Sequence, residues 1–246
     1  MRKPPHEAQP VAQRLWLRYR KTDRMRFASH RDFQRSLERA VRRAGLPVAS
    51  SGGFSPHPRI SYTNAAPTGV ASEAEYLELG LAKCVDPGEV KDDLNSALPC
   101  GFRIVSVAPK AAGRLTDSLE ASQWRLEFPG VAGPDLAAAC DRLHDLAPVT
   151  VTRVSHKGRR DLIVTDALVS TGVTGVTGEF SDSGDECAIL HMVVRNVTPS
   201  VRPSEVLTAL TEQAELVAKQ PVLVTRLAQG PMDELGMIGD PLAVDL

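Results

Sequence analysis

Aromatic residues are scarce in this chain, at 4% of its 246 positions. The core must therefore be mostly valine, leucine and alanine, drawn from the 42% of apolar residues. No apolar run reaches about 18 residues, so no membrane-spanning helix is expected. The four cysteines, Cys84, Cys100, Cys140 and Cys187, form no C-x-x-C pair. Zinc ribbons and iron–sulfur clusters need clustered thiolates, so no metal site and no cofactor are expected in this chain. Buried free thiols in a cytoplasmic protein are the expectation that remains. The opening MRKPPHEAQP lacks the apolar segment of a secretory signal and reads as a short disordered lead-in.

Familiar catalytic signatures are missing as well. The sequence contains no G-x-S-x-G elbow, no H-E-x-x-H, no dinucleotide fingerprint, no kinase set and no phosphate-binding G-x-x-x-x-G-K-[ST]. Its acids are scattered, and no spacing selects a catalytic pair.

What is present is a charge imbalance hidden by a net charge of −1. Residues 1–60 hold 14 Lys and Arg against 4 Asp and Glu, whereas the remainder holds 15 against 26. A basic end on a near-neutral chain suggests an anionic partner for that end, or simply a solvated basic helix.

Periodicity predicts an α+β chain. Leu15, Leu17 and Tyr19 alternate with Arg14, Trp16, Arg18 and Arg20, a strand with one wet face. A short apolar piece runs from Met25 to Ala28. Ser29 and Asp32 resemble a capping box, and a helix should follow from His30 to about Ala44, stopped by Gly45 and Pro47. Strands are expected near 59–64, 75–82 and 103–108, with a helix over 87–98 capped by Asp86. The order β-α-β-β-α-β is the ferredoxin-like order. The second half is expected to repeat it: strand 124–128, helix 135–146, strand 149–154, another strand or its continuation over 161–168, strand 188–194, helix 203–218 capped by Ser200 or Ser204, and strand 221–227. The glycine- and threonine-rich stretch STGVTGVTGEFSDSGDE reads as a hairpin or mobile loop. Two tandem ferredoxin-like units are therefore expected, over 11–110 and 122–229. A lead at 1–10, a linker at 111–121 and a loosely ordered tail at 230–246 complete the organisation.

Two stretches could carry function. On the predicted helix, Phe33, Leu37, Ala40, Val41 and Ala44 share one sector, and Arg31, Arg35, Arg39, Arg42 and Arg43 fall roughly opposite. Glu38 is the only acid beyond the capping turn, so the usual i,i+4 charge pairing is nearly absent. Arginine suits bidentate contacts to phosphate or carboxylate. The second stretch is Gly52-Gly53-Phe54-Ser55-Pro56-His57-Pro58-Arg59. Its glycines permit a turn or close approach of a ligand, and its prolines hold His57 extended. Phe54 and Tyr62 could stack on bases or belong to the core. His30 and His57, if they converged, are candidates for metal-independent acid–base catalysis, or else structural hydrogen-bonders. His144, His156 and His191 lack ligand spacing.

These residues resemble a known family. Ser29-His30-Arg31-Asp32, the helix ERAVRRAGLP over 38–47, GFSPHPRIS over 53–61 and PTGVASEAEY over 67–76 are similar to the radical SAM-linked family of unknown function, with the likeness dense over residues 14–82. Members of that family occur fused behind a cobalamin-binding radical SAM enzyme or as separate chains, so the resemblance implies work alongside such an enzyme. The chain lacks the C-x-x-x-C-x-x-C run of the enzyme itself, which leaves a role as an adaptor. The element order is also similar to that of CRISPR repeat-processing endoribonucleases, a fold-level analogy that raises RNA as a partner. The expected function is a non-catalytic RNA-binding or substrate-presenting module. It would use Arg31, Arg35, Arg39, Arg42, Arg43, Gly53, Phe54, His57 and Arg59. The alternatives are a protein-docking module for that enzyme, or an endoribonuclease using His30 and His57.

Overall fold

The computed structural model describes residues 6–155, 158–176 and 186–243. His156 and residues 177–185 of the glycine- and threonine-rich stretch lie outside them, as do the first five residues of the expected lead and the last three of the expected tail. The fold is α+β, and contacts divide it into two compact units, Met1–Ser118 with Asp240–Leu246, and Leu119–Gly239.

In the first unit, β1 (Gln13–Lys21) leads through a 3-10 helix (Asp23–Phe27) to α1 (His30–Arg43). Strands β2 (Ile60–Thr63) and β3 (Ala71–Leu81), helix α2 (Pro87–Ala97) and strand β4 (Phe102–Pro109) follow. The strands lie in the order β4-β1-β3-β2, every pair antiparallel. Register places Leu15 opposite Leu79 and Leu17 opposite Leu77. This leucine face meets Phe33, Leu37, Ala40 and Val41 of α1 and Val90, Leu94 and Ala97 of α2, forming one buried cluster with Phe102 and Ile104. Removing such a face from water is the main stabilising term.

The other face of β1 is wet at Arg14 and part-exposed at Arg18 and Arg20, as the alternation predicts, but not at Trp16. Trp16 is 1% exposed, and its indole N–H donates to Glu78 Oε2 at 3.1 Å. Arg14 pairs with the other oxygen of Glu78 at 2.6 Å. The 110–116 segment covers this face: Lys110, Arg114, Leu115 and Thr116 line a cavity together with Arg14, Ser61, Thr63 and Glu78. Farther along, Asp240 accepts from Tyr76 Oη at 3.1 Å and pairs with Arg18 at 3.0 Å.

In the second unit, β5 (Ala121–Pro129), α3 (Gly133–Asp145), β6 (Thr150–Ser155), β7 (Gly158–Ile163) and the one-turn α4 (Val164–Ala167) come first. Then follow β8 (Leu168–Val176), β9 (Cys187–Arg195), α5 (Pro203–Glu212) and β10 (Leu223–Gly230). The sheet order is β10-β5-β9-β8, again antiparallel, and β6 and β7 pair separately. Residues 170–176 belong to β8 and pair antiparallel with β9, as in the hairpin alternative for that stretch; cross-strand pairing overrides the weak intrinsic preference of glycine. Two expectations need correction. Residues 164–167, expected to be extended, are helical. Neither Ser200 nor Ser204 caps α5; the cap is Arg202, whose N–H donates to Glu205 Oε2 at 2.7 Å. Glu205 also takes two hydrogen-bonding contacts from Arg153 of β6, which fixes the small hairpin to α5.

Phe33 is the test of the first core. Its ring stacks on Tyr19 at 4.0 Å between centroids and meets Phe102 edge-on at 4.9 Å. Phe33→Ala should lower unfolding stability by about 3–5 kcal/mol, read from the denaturant midpoint. An unchanged midpoint would show that this packing does not stabilise the unit.

Candidate functional site

α1 is positioned by local chemistry. Ser29 is its N-cap: the hydroxyl accepts from the Asp32 N–H at 3.2 Å, and Asp32 returns the contact to the Ser29 N–H at 3.0 Å. The Ser29 side chain and backbone both hold the Asp32 carboxyl below its ordinary range. Gly45, at φ +66°, turns the chain out of the helix, a conformation that glycine adopts without strain. Between these ends Phe33, Ser36, Leu37, Ala40 and Val41 are buried.

Arg31, Arg35, Arg39, Arg42 and Arg43 are all exposed. Among the described residues none of the five makes an ion pair with a carboxylate; Arg39 donates only to Ser36 Oγ, at 3.2 Å. An unpaired row of guanidinium groups on one face leaves its bidentate donors available to an anionic partner.

The Gly52–Arg59 loop is closed on itself and tied to two neighbours. The Ser51 N–H donates to the His57 carbonyl at 2.9 Å, and the His57 N–H donates to Ser51 Oγ at 3.0 Å. Gly53, at φ +111°, donates to the His6 carbonyl at 3.0 Å. A Cβ on Gly52 would lie 3.0 Å from the Ala8 nitrogen, so this glycine is needed where residues 6–9 pass. Arg59 donates its N–H to Ala49 and accepts from Gly80, both at 2.8 Å. The side chains of Phe54, His57 and Arg59 are left exposed. Pro56 and Pro58 border a cavity of about 570 Å³ with Glu38, Val41, Arg42 and Gly45 of α1 and its C-terminal turn, and with His6, Glu7 and Gln9. The loop and the arginine helix therefore share a surface.

Among the described residues His30 and His57 make no contact with each other. His30 is half-buried at the start of α1, with Nε2 at 3.0 Å from the Gln34 amide nitrogen and its ring edge-on to Tyr62 at 5.0 Å. Tyr62 belongs to the core: its ring also meets Phe33 edge-on. Its hydroxyl is buried without a hydrogen-bond partner among the described residues. Burial, then the nearby Glu38 charge, pushes that hydroxyl far above its ordinary pKa. Behind His30 lie two buried charges on the 66–67 turn. Lys21 donates to the carbonyls of Ala66 and Pro67 at 3.4 and 3.1 Å, and Glu75 accepts the Ala66 N–H at 2.9 Å.

Sequence reasoning missed three features. Phe27, expected within an apolar piece, projects into solvent at 67% exposure. The cavity beside Glu38 needs the loop and residues 6–9 folded against α1, which no local pattern announces. Cys84 and Cys100 are exposed rather than buried, and all four thiols are free. Among the described residues no group of three His, Cys, Asp or Glu could hold a metal ion, and no helix is long and apolar enough to cross a membrane.

Residues 14–203 match the family described as "Uncharacterized protein conserved in bacteria (DUF2344)", and the chain belongs to it. No curated protein matches. The crystal structure of an unknown protein from Galdieria sulphuraria is 16% identical over 87% of this chain and 96% of that one, with a TM-score of 0.23. That likeness is too slight to bear on the fold.

His30 offers a direct check on this geometry. Burial lowers its pKa below 6.5, Glu75 opposes the shift and Lys21 adds to it. The native state then binds this proton more weakly than the unfolded chain, so the stabilisation is complete above the unfolded value and is lost as pH falls through the lower native one. An NMR titration of the His30 ring should give a midpoint under 6.5. His30→Gln should flatten the loss of thermal stability between about pH 7 and 5. A midpoint at or above the ordinary value would contradict the buried setting.

Proposed function

We propose that the first unit of this DUF2344 chain is a non-catalytic RNA-binding module that presents its RNA to a modification enzyme of the cobalamin radical SAM kind. The observation that carries this reading is the row of five exposed arginines on α1, none paired with a carboxylate among the described residues. Phosphates along a nucleic-acid strand supply the matching row of anions, and their counterions are released on binding. Phe54, His57 and Arg59 lie beside that row on a closed loop, placed to reach a base or ribose.

The reading is non-catalytic because no contact joins the two rings among the described residues: His30 meets Gln34 and Tyr62, and His57 meets Ser51 only through its backbone. The radical SAM partner rests on the resemblance of residues 14–82 alone. Both units are further proposed as ferredoxin-like. Taken by itself, each unit has its first strand between its fourth and third and its third between its first and second, if β6 and β7 are an insertion after α3. Four free thiols, two of them exposed, suit the reducing cytoplasm.

The test is binding of transfer-RNA and ribosomal-RNA fragments at rising salt, with wild type beside a variant carrying Arg35→Glu, Arg39→Glu, Arg42→Glu and Arg43→Glu. The logarithm of the wild-type affinity should fall linearly with the logarithm of salt. The variant should lose about one unit of that slope per arginine that contacts phosphate. Absent or salt-insensitive binding sinks the RNA reading. Co-purification with an acidic protein after nuclease treatment would then assign the same face to protein docking.

A further inference from the structure

We infer that the RNA is single-stranded where it meets this protein, and that Phe27 and Phe54 are the platforms on which its bases stack. This rests on the RNA reading above and narrows it to a substrate class. The chain has six phenylalanines, three tyrosines and two tryptophans. Among the described residues only Phe27 and Phe54 are exposed, at 67% and 76%. In a chain this poor in aromatics, both outward rings belong to the basic unit and flank the same helix.

Their placement follows from the backbone. Phe27 ends the 3-10 helix three residues before α1 begins, and Asp23, at φ +50°, starts that turn. The guanidinium of Arg26 lies 5.9 Å from the Phe27 ring centroid, and Arg26 Nε donates to the Gly69 carbonyl at 2.9 Å. Phe54 follows Gly53 in the loop closed by Ser51 and His57, whose flanking prolines border the cavity at the last turns of α1. One ring stands before the arginine row and the other near its end, and a helix of 14 residues spans about 21 Å. Both rings sit on hydrogen-bonded turns, which reduces the ordering cost of binding.

A base-paired duplex keeps the faces of its bases inside the stack, and proteins read it by shape and backbone. Protruding rings gain only from unpaired bases, which stack on them with little regard to sequence. An anionic membrane surface is the other partner that takes arginine with phenylalanine. It fits less well, because the apolar side of α1 is turned into the core and only the arginine side faces out.

The experiment compares a mixed-sequence single-stranded RNA, its perfect duplex and anionic phospholipid vesicles, against wild type, Phe27→Ala and Phe54→Ala. Both side chains are exposed, so the variants should keep the wild-type melting temperature. Wild type should prefer the single strand, and each substitution should weaken that binding about tenfold to a hundredfold while leaving the duplex unchanged. A Phe54→Trp variant should change its emission when the single strand is added. Equal affinity for duplex and single strand, or full affinity in both alanine variants, overturns the stacking inference and leaves the RNA reading standing. No binding of either RNA overturns both, and binding to vesicles alone moves the surface to a membrane.

Discussion

The packing of Phe33 onto Tyr19 and Phe102 decides which way α1 faces. Once that ring is locked over the sheet, Leu37, Ala40 and Val41 follow it into the core at the helical period. The five arginines then have no choice but solvent. A helix rotated by one residue would bury a guanidinium, and an uncompensated buried charge costs more than the unit could offset. The functional surface is in this sense a by-product of the core, and its charge is held in place by apolar contacts on the opposite side.

A second constraint acts at the edges of that surface. The Gly52–Arg59 loop has almost no core of its own, and hydrogen bonds to Ala49, Gly80 and His6 hold it instead. Gly52 lets residues 6–9 pass at contact distance, so the loop is braced from outside as well as from within. Beneath the start of α1, buried Lys21 and Glu75 hold the 66–67 turn through backbone groups. Buried charge is tolerated there because oriented backbone partners stand in for water.

These two constraints give the first unit a rigid, electropositive face edged by two exposed rings and a cavity. In the second unit no described helix carries a comparable row of exposed arginines. There Arg226 lies over Trp124 at 4.6 Å and Arg153 is bound to Glu205, whereas Arg159, Arg160 and Arg195 are exposed.

Local rules are enough for α1. The Ser29–Asp32 cap, the apolar period and the Gly45 stop all act within a few residues, so helix, boundaries and outward arginines are legible in the sequence. The same holds for the β-α-β-β-α-β order of elements in the first unit and for Asp86 as the cap of α2. Trp16 is not legible in this way, because its indole is buried against a partner, Glu78, that lies 62 residues away along the chain. The glycines and threonines of residues 170–176, taken alone, leave hairpin and loop open, and pairing with β9 decides for the strand. Phe27 goes astray for the converse reason: an apolar residue in an apolar stretch is expected inside, but the positive φ of Asp23 starts a 3-10 turn that sends it out. By itself the sequence determined what is set by neighbours a few residues apart: the helix, its caps and its charged face. Only the tertiary structure decided which rings are covered and which stand beside that face, because burial depends on segments that the chain brings together from a distance.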